Sequence, residues 1–252
     1  MPYLAHDGVR LHYDLHGNPG EEPPLLLSHG FSASGRMWER NVAALDRDRE
    51  VLTWDLRGHA RSDAPDDPTA YGVEQSVGDM VALLDLLGAT RAVLGGMSLG
   101  GYLSLAFHAR HPERVAALVL VDTGPGFRRD EPREEWNGFV ERTAGALERE
   151  GLAALPVSPE VGEHHDARGL VHAARRVMAQ RDAEVIDSLD RIAVPTLVVV
   201  GAEDRNFLGA ADYMAAKIRG ARKVVLGGAG HAANIDAAEE FNAAVGMFLE
   251  DL

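Results

Sequence analysis

A serine serves as a nucleophile when its hydroxyl stands clear of its own backbone and within reach of a base. One stretch of this sequence is suited to that. Gly96-Met97-Ser98-Leu99-Gly100 fits the pattern G-x-S-x-G, follows the apolar run Ala92–Gly95, and opens a helical pattern near Leu99. A serine on so tight a strand-to-helix turn needs strained dihedrals, and small residues two places before and after prevent backbone collision. Gly96 and Gly100 occupy those places. The turn would set the Ser98 hydroxyl at a sheet edge, with a helix N-terminus beneath any developing negative charge.

The candidate base is His231, which follows the apolar run Lys223–Leu226 and the turn Gly227-Gly228-Ala229-Gly230. Glycines let a short loop carry an imidazole back over a sheet edge. With an ordinary pKa near ~6.5, that imidazole can take a serine proton and return it to a leaving group. Other histidines have plainer readings: His6, His12 and His16 lie near a hairpin, and His108 and His111 near a helix C-terminus. His164-His165-Asp166 is a weak metal motif, because adjacent side chains diverge.

These groups need a scaffold, and the hydrophobic pattern suggests one. Leu25–Ser28, Val51–Trp54, Ala92–Gly95, Ala117–Val121, Thr196–Val200 and Lys223–Leu226 read as strands, mostly apolar throughout, as strands covered on both faces are. Tyr3–Ala5 and Leu11–Leu15 read as an antiparallel hairpin turned by His6-Asp7-Gly8. Helical patterns at Met37–Leu45, Val73–Leu87, Leu99–Arg110, Ala210–Lys217 and Ala237–Leu249 lie between the runs. The expectation is an α/β fold: a mostly parallel, doubly wound sheet of about eight strands flanked by helices. From Gly124 to about Arg191 no strand is convincing, while Trp136–Arg149 and Arg168–Gln180 read as amphipathic helices. We therefore expect a core of residues 1–123 and 192–252 with a helical cap, 124–191, above the carboxyl ends of the strands.

Four ordered landmarks now stand together: Ser28-His29-Gly30-Phe31, Gly96–Gly100, Gly201-Ala202-Glu203-Asp204 and Gly230-His231, each after a strand. The chain resembles the α/β-hydrolase superfamily, in particular its small capped esterases and lactonases, over nearly its whole length. The resemblance implies that backbone N–H groups of Phe31 and Leu99 stabilise an oxyanion, with His29 bracing the loop. It implies Asp204 as the acid that orients His231, with Asp122 as the alternative, since some members carry the acid there, and Glu203 as a minor candidate. His59, in Arg57-Gly58-His59-Ala60, resembles a structural turn in which Ala60 replaces the family's glycine. Little consequence is expected of that replacement.

The chemistry so implied is acyl transfer through an acyl-enzyme, without metal or organic cofactor. A small ester or lactone is the first expectation. Carbon–carbon or thioester cleavage on the same triad, haloperoxidase-like perhydrolysis, and a ligand receptor with vestigial turnover remain open. Met97, Trp38, Trp136 and Phe139 are candidate pocket residues, although ordinary helix packing would explain them too.

Composition narrows the classes. A chain of 252 residues, 46% apolar and 25% charged, suits one large globular domain rather than a disordered one. With 25 basic against 39 acidic residues its net charge of −14 repels phosphate backbones and anionic lipids, so neither nucleic acid nor membrane is an expected partner. There is no cysteine, hence no disulfide or thiolate site. No basic start precedes an apolar run at the N-terminus, and Val115–Val121 is too short to span a bilayer, so a cytoplasmic enzyme of small molecules is expected. Oligomeric state is not legible.

Overall fold

In the central strands, successive residues enter two different cores. On β6 (Val115–Val121), Leu118 and Leu120 join one apolar cluster while Ala117, Val119 and Val121 join the other. That period of two, with both faces covered, explains why the strand is almost uninterruptedly apolar in sequence. The computed structural model describes residues 2–157 and 161–252.

The remaining strands are β1 (Tyr3–His6), β2 (Val9–His16), β3 (Leu25–Ser28), β4 (Val51–Trp54), β5 (Ala92–Met97), β7 (Thr196–Gly201) and β8 (Arg222–Leu226). They form one eight-stranded sheet in the order β1-β2-β4-β3-β5-β6-β7-β8. β1 and β2 pair antiparallel, as do β2 and β4, and all later pairs are parallel. Asp7 and Gly8 both take positive φ, 46° and 74°, the backbone that a two-residue hairpin turn requires.

The helices are α1 (Glu39–Leu45), α2 (Val73–Leu86), α3 (Leu99–Arg110), α4 (Asp130–Glu150), α5 (Ala167–Ala173), α6 (Glu184–Ser188), α7 (Leu208–Lys217), α8 (Ala233–Asp236) and α9 (Ala238–Glu250). Buried residues of α1, α8 and α9 share one core, and those of α2, α3 and α7 the other. The sheet is thus doubly wound, as expected. From β3 the chain steps to β4 on one side, and then crosses to β5 on the other. The crevice at this switch point, between the loops after β3 and β5, is where open α/β sheets bind ligands.

Helices α4 and α5 occupy the interval expected to be helical, and residues 158–160 within it lie outside the described set. Val140, Ala144 and Leu147 of α4 and Leu170 of α5 pack in the same cluster as α2 and α3, so this interval extends the main core. The helix expected over Arg168–Gln180 is shorter and irregular. After α5 the chain makes a π turn, Ala174–Met178, and Ala179 is already extended, with ψ 136°. The short helices α6 and α8 were not legible, being only about one turn each. Among the described residues no helix is long and apolar enough to cross a membrane.

Candidate active site

Ser98 sits between the end of β5 and the first residue of α3 with φ 51° and ψ −113°, outside the regions a side chain prefers. The neighbouring glycines permit this. A Cβ on Gly96 would lie 2.2 Å from the Gly100 carbonyl carbon, and one on Gly100 would lie 2.2 Å from the Ser28 oxygen. The strained turn is tied down by the Ser98 amide donating to Val121 at 2.9 Å and the Thr123 hydroxyl donating to the Ser98 carbonyl at 2.6 Å.

His231 brings its Nε2 to 3.1 Å from Ser98 Oγ, and its Nδ1 to 2.7 Å from Asp204 Oδ2. The carboxylate can only accept, so Nδ1 carries the proton and Nε2 accepts from the serine hydroxyl. Asp204 is buried, while the imidazole keeps 39% of its side-chain surface. The Phe207 ring stacks on the imidazole at 4.9 Å and 21°. Its place on the acid's turn gave no signal in the sequence. Gly201 allows the close passage of the base's loop, because a Cβ there would meet the Gly230 oxygen at 2.2 Å.

Asp122, the alternative acid, is fully buried and engaged elsewhere. One of its oxygens accepts from the Gly201 amide and the other from the Ala233 amide, each at 2.8 Å. It ties the end of β6 to the end of β7 and to the start of α8, just beyond the base. Glu203 is exposed.

Phe31 and Leu99 both line the cavity that holds Ser98, and among the described residues neither main-chain N–H has a hydrogen-bond partner. The loop carrying Phe31 is clamped from behind by imidazoles. His29 Nε2 accepts from the Leu56 amide at 2.9 Å, so its Nδ1–H donates to the Gly30 carbonyl at 2.7 Å. His164 accepts from the Ala60 amide at 3.0 Å and faces the Ser32 carbonyl at 2.8 Å, so both of its nitrogens are occupied by main chain. His59 lies between them, with ring centroids 5.0 Å from His29 and 5.8 Å from His164.

These rings fold as neutral groups, which fixes a pH dependence. Burial lowers His29 to about 4, and burial lowers His59 and His164 also. A histidine with a depressed folded pKa stabilises fully above its unfolded value near ~6.5, and that contribution fades as pH falls through the window below. Asp122, raised to about 6 by burial, has the opposite sign and offsets part of the loss. Three imidazoles outweigh one carboxyl. Urea melts should show stability falling from pH 7 to pH 5, with His29 alone contributing about 2 kcal/mol. A flat or rising profile would refute this account.

Ala60 is not as innocuous as expected. It adopts φ 43°, the left-handed backbone that the family's glycine takes without strain. Ala60→Gly is therefore expected to stabilise the fold by about 1 kcal/mol in the same melts.

The cavity has a volume of about 730 Å³ and is bounded by loops after β3, β5 and β6 and by residues of the helical interval. Met97, Trp136 and Phe139 line it, as proposed from sequence. Trp38 does not. It ends a short turn, Gly35–Trp38, whose Trp ring is fully buried in the α1/α9 core, 6.1 Å from Phe241. An indole of that size is placed where it removes most apolar surface from water, and the sequence pattern does not say on which side. Tyr102, Gln180, Asn206 and Phe207 line the cavity and were not foreseen.

A family model described as alpha/beta hydrolase fold matches residues 23–156, more than half of the chain. The chain belongs to this family. It is 33% identical to the enol-lactonase of Burkholderia xenovorans LB400, with a TM-score of 0.79, covering 99% of this chain and 100% of that one. A thermophilic esterase from Thermogutta terrifontis is 27% identical, with a TM-score of 0.82 and coverage of 99% and 96%. The 3-oxoadipate enol-lactonase 2 of Acinetobacter baylyi is 28% identical over 96% of this chain and 94% of its own length. The resemblance read from the four landmarks is borne out.

Proposed function

We propose that the protein is a serine hydrolase that cleaves a small, largely apolar carboxylic ester or lactone through an acyl-enzyme. The observation that carries this reading is the continuous chain from Ser98 Oγ to His231 to Asp204, at 3.1 and 2.7 Å, opening into a mostly apolar cavity. Esterase and enol-lactonase relatives support ester and lactone substrates alike.

In the first step Ser98 Oγ bonds to the carbonyl carbon as its proton passes to His231 Nε2. The electron pair of the carbonyl moves to its oxygen, held by the Phe31 and Leu99 amides, each donor contributing about 3 kcal/mol at the transition state. The C–O bond then breaks and the imidazolium protonates the departing alkoxide. Water, deprotonated by the same imidazole, then bonds to the acyl carbon; the C–O bond to Ser98 breaks, and the imidazolium returns the proton to Ser98 Oγ as the acid leaves. Asp204 holds the tautomer and balances the imidazolium charge. The described residues of the 124–191 interval that line the cavity act as a cap over Ser98.

A fluorophosphonate probe followed by peptide mass mapping tests the nucleophile. The adduct is expected on Ser98, and an adduct elsewhere rejects the reading. A panel of p-nitrophenyl esters, lactones, a thioester and a vinylogous diketone tests the bond. Steady ester or lactone turnover supports the proposal, whereas a single burst without turnover indicates a receptor.

A further inference from the structure

Among the described residues that line the cavity beside Ser98, none is Lys, Arg, Asp or Glu. Residues 158–160, outside the described set, read Ser-Pro-Glu and include no cation. A carboxylate entering such a site loses its water without gaining a counter-charge, which is strongly unfavourable.

One polar group in the cavity wall is unusually well placed. Gln180 is 8% exposed, and α4 grips its main chain from both sides: Asn137 Nδ2 donates to its carbonyl and Asn137 Oδ1 accepts from its amide, each at 2.8 Å. Trp136 Nε1 donates to the Met178 carbonyl at 2.9 Å, so the strand-like segment after the π turn is fixed by two adjacent side chains. The loop after β6 yields space for the Gln180 side chain. Gly126 has φ 86°, and a Cβ there would stand 2.2 Å from Gln180 Oε1. Yet the side-chain amide itself has no hydrogen-bond partner among the described residues. With its main chain held and its side chain lining the cavity, this amide offers two donors and an acceptor to whatever group displaces water there.

We propose that Gln180 determines specificity: besides the scissile ester, the substrate carries an uncharged hydrogen-bonding group, such as a ketone, amide or hydroxyl, that the Gln180 amide reads. Carboxylate-bearing esters and lactones are disfavoured. This inference rests on the acyl-transfer reading of Ser98 and deepens it.

The test uses matched p-nitrophenyl and alkyl esters: a plain alkyl chain, the same chain with a ketone moved stepwise along it, and a chain ended by a carboxylate. The series is made on the acyl side and again on the alcohol side. For the wild type, kcat/KM for the best keto ester should exceed that for the plain chain by at least about tenfold. It should exceed that for the carboxylate by at least about a hundredfold. Gln180→Leu should bring the keto-to-alkyl ratio to one or below. Gln180→Arg should raise the carboxylate-to-alkyl ratio by at least about tenfold. Because each ratio comes from one preparation, partial misfolding of a variant cancels. No keto preference in the wild type, a preference that survives Gln180→Leu, or a carboxylate ester as the best substrate would overturn the proposal. Ester hydrolysis that persists in Ser98→Ala would instead overturn the acyl-enzyme reading. Hydrolysis that needs Ser98 but shows flat ratios removes the Gln180 assignment alone.

Discussion

Ser98→Ala is expected to lower kcat on any ester the protein turns over by a factor on the order of 10⁴ to 10⁶, with the melting temperature nearly unchanged. Among the described residues the hydroxyl bonds to His231 at 3.1 Å, so removing it takes little from the fold. What is lost is covalent catalysis, and the residual rate then comes from binding and the two oxyanion amides. A second variant separates chemistry from strain. Ser98→Gly should be equally inactive but more stable by about 1 kcal/mol, because φ 51° costs a side chain and not a glycine. Stopped assays on a p-nitrophenyl ester and calorimetry on the same samples check both statements. If Ser98→Ala kept even a tenth of the wild-type rate, the nucleophile would lie elsewhere.

The two aspartates should divide function from stability. Asp204→Asn is expected to cost about 10⁴-fold in kcat with a small change in stability. An amide at this position can present its NH₂ to His231, which drives the ring proton to Nε2 and leaves nothing to accept the Ser98 proton. Asp122→Asn should do the reverse. Its two oxygens receive two main-chain N–H groups, and an amide can serve only one of them, so a buried donor is orphaned. The expected loss is about 2 kcal/mol of stability with at most a modest effect on turnover. Chemical melts and kcat measured on both variants decide the matter. Abolished turnover in Asp122→Asn alone would return the acid's role to Asp122.

Much of this molecule was legible because it is written over short spans. The short, mostly continuous apolar runs predicted six strands to within a few residues, the His6-Asp7-Gly8 turn the hairpin of the other two, and the Gly96–Gly100 spacing the turn that Ser98 makes. Helices one turn long, α6 and α8, carry too few residues for a periodic signal. The end of the 168–180 helix was misread for a related reason. A π turn leaves the apolar spacing nearly intact while redirecting the chain, so Gln180 was assigned to a helix end and emerged facing the cavity.

By itself the sequence determined the alternation of strand and helix, the strained serine turn and the candidate base. Each depends on local sterics and on which face of a short element is apolar. Only the tertiary structure decided that Trp38 is core and Gln180 is wall, that Asp122 is a tie and Asp204 the partner of His231, and that Ala60 is strained. Those outcomes depend on sheet register and on what remains to satisfy each polar group once water is excluded, and residues 133 positions apart do not reveal that by their own neighbours.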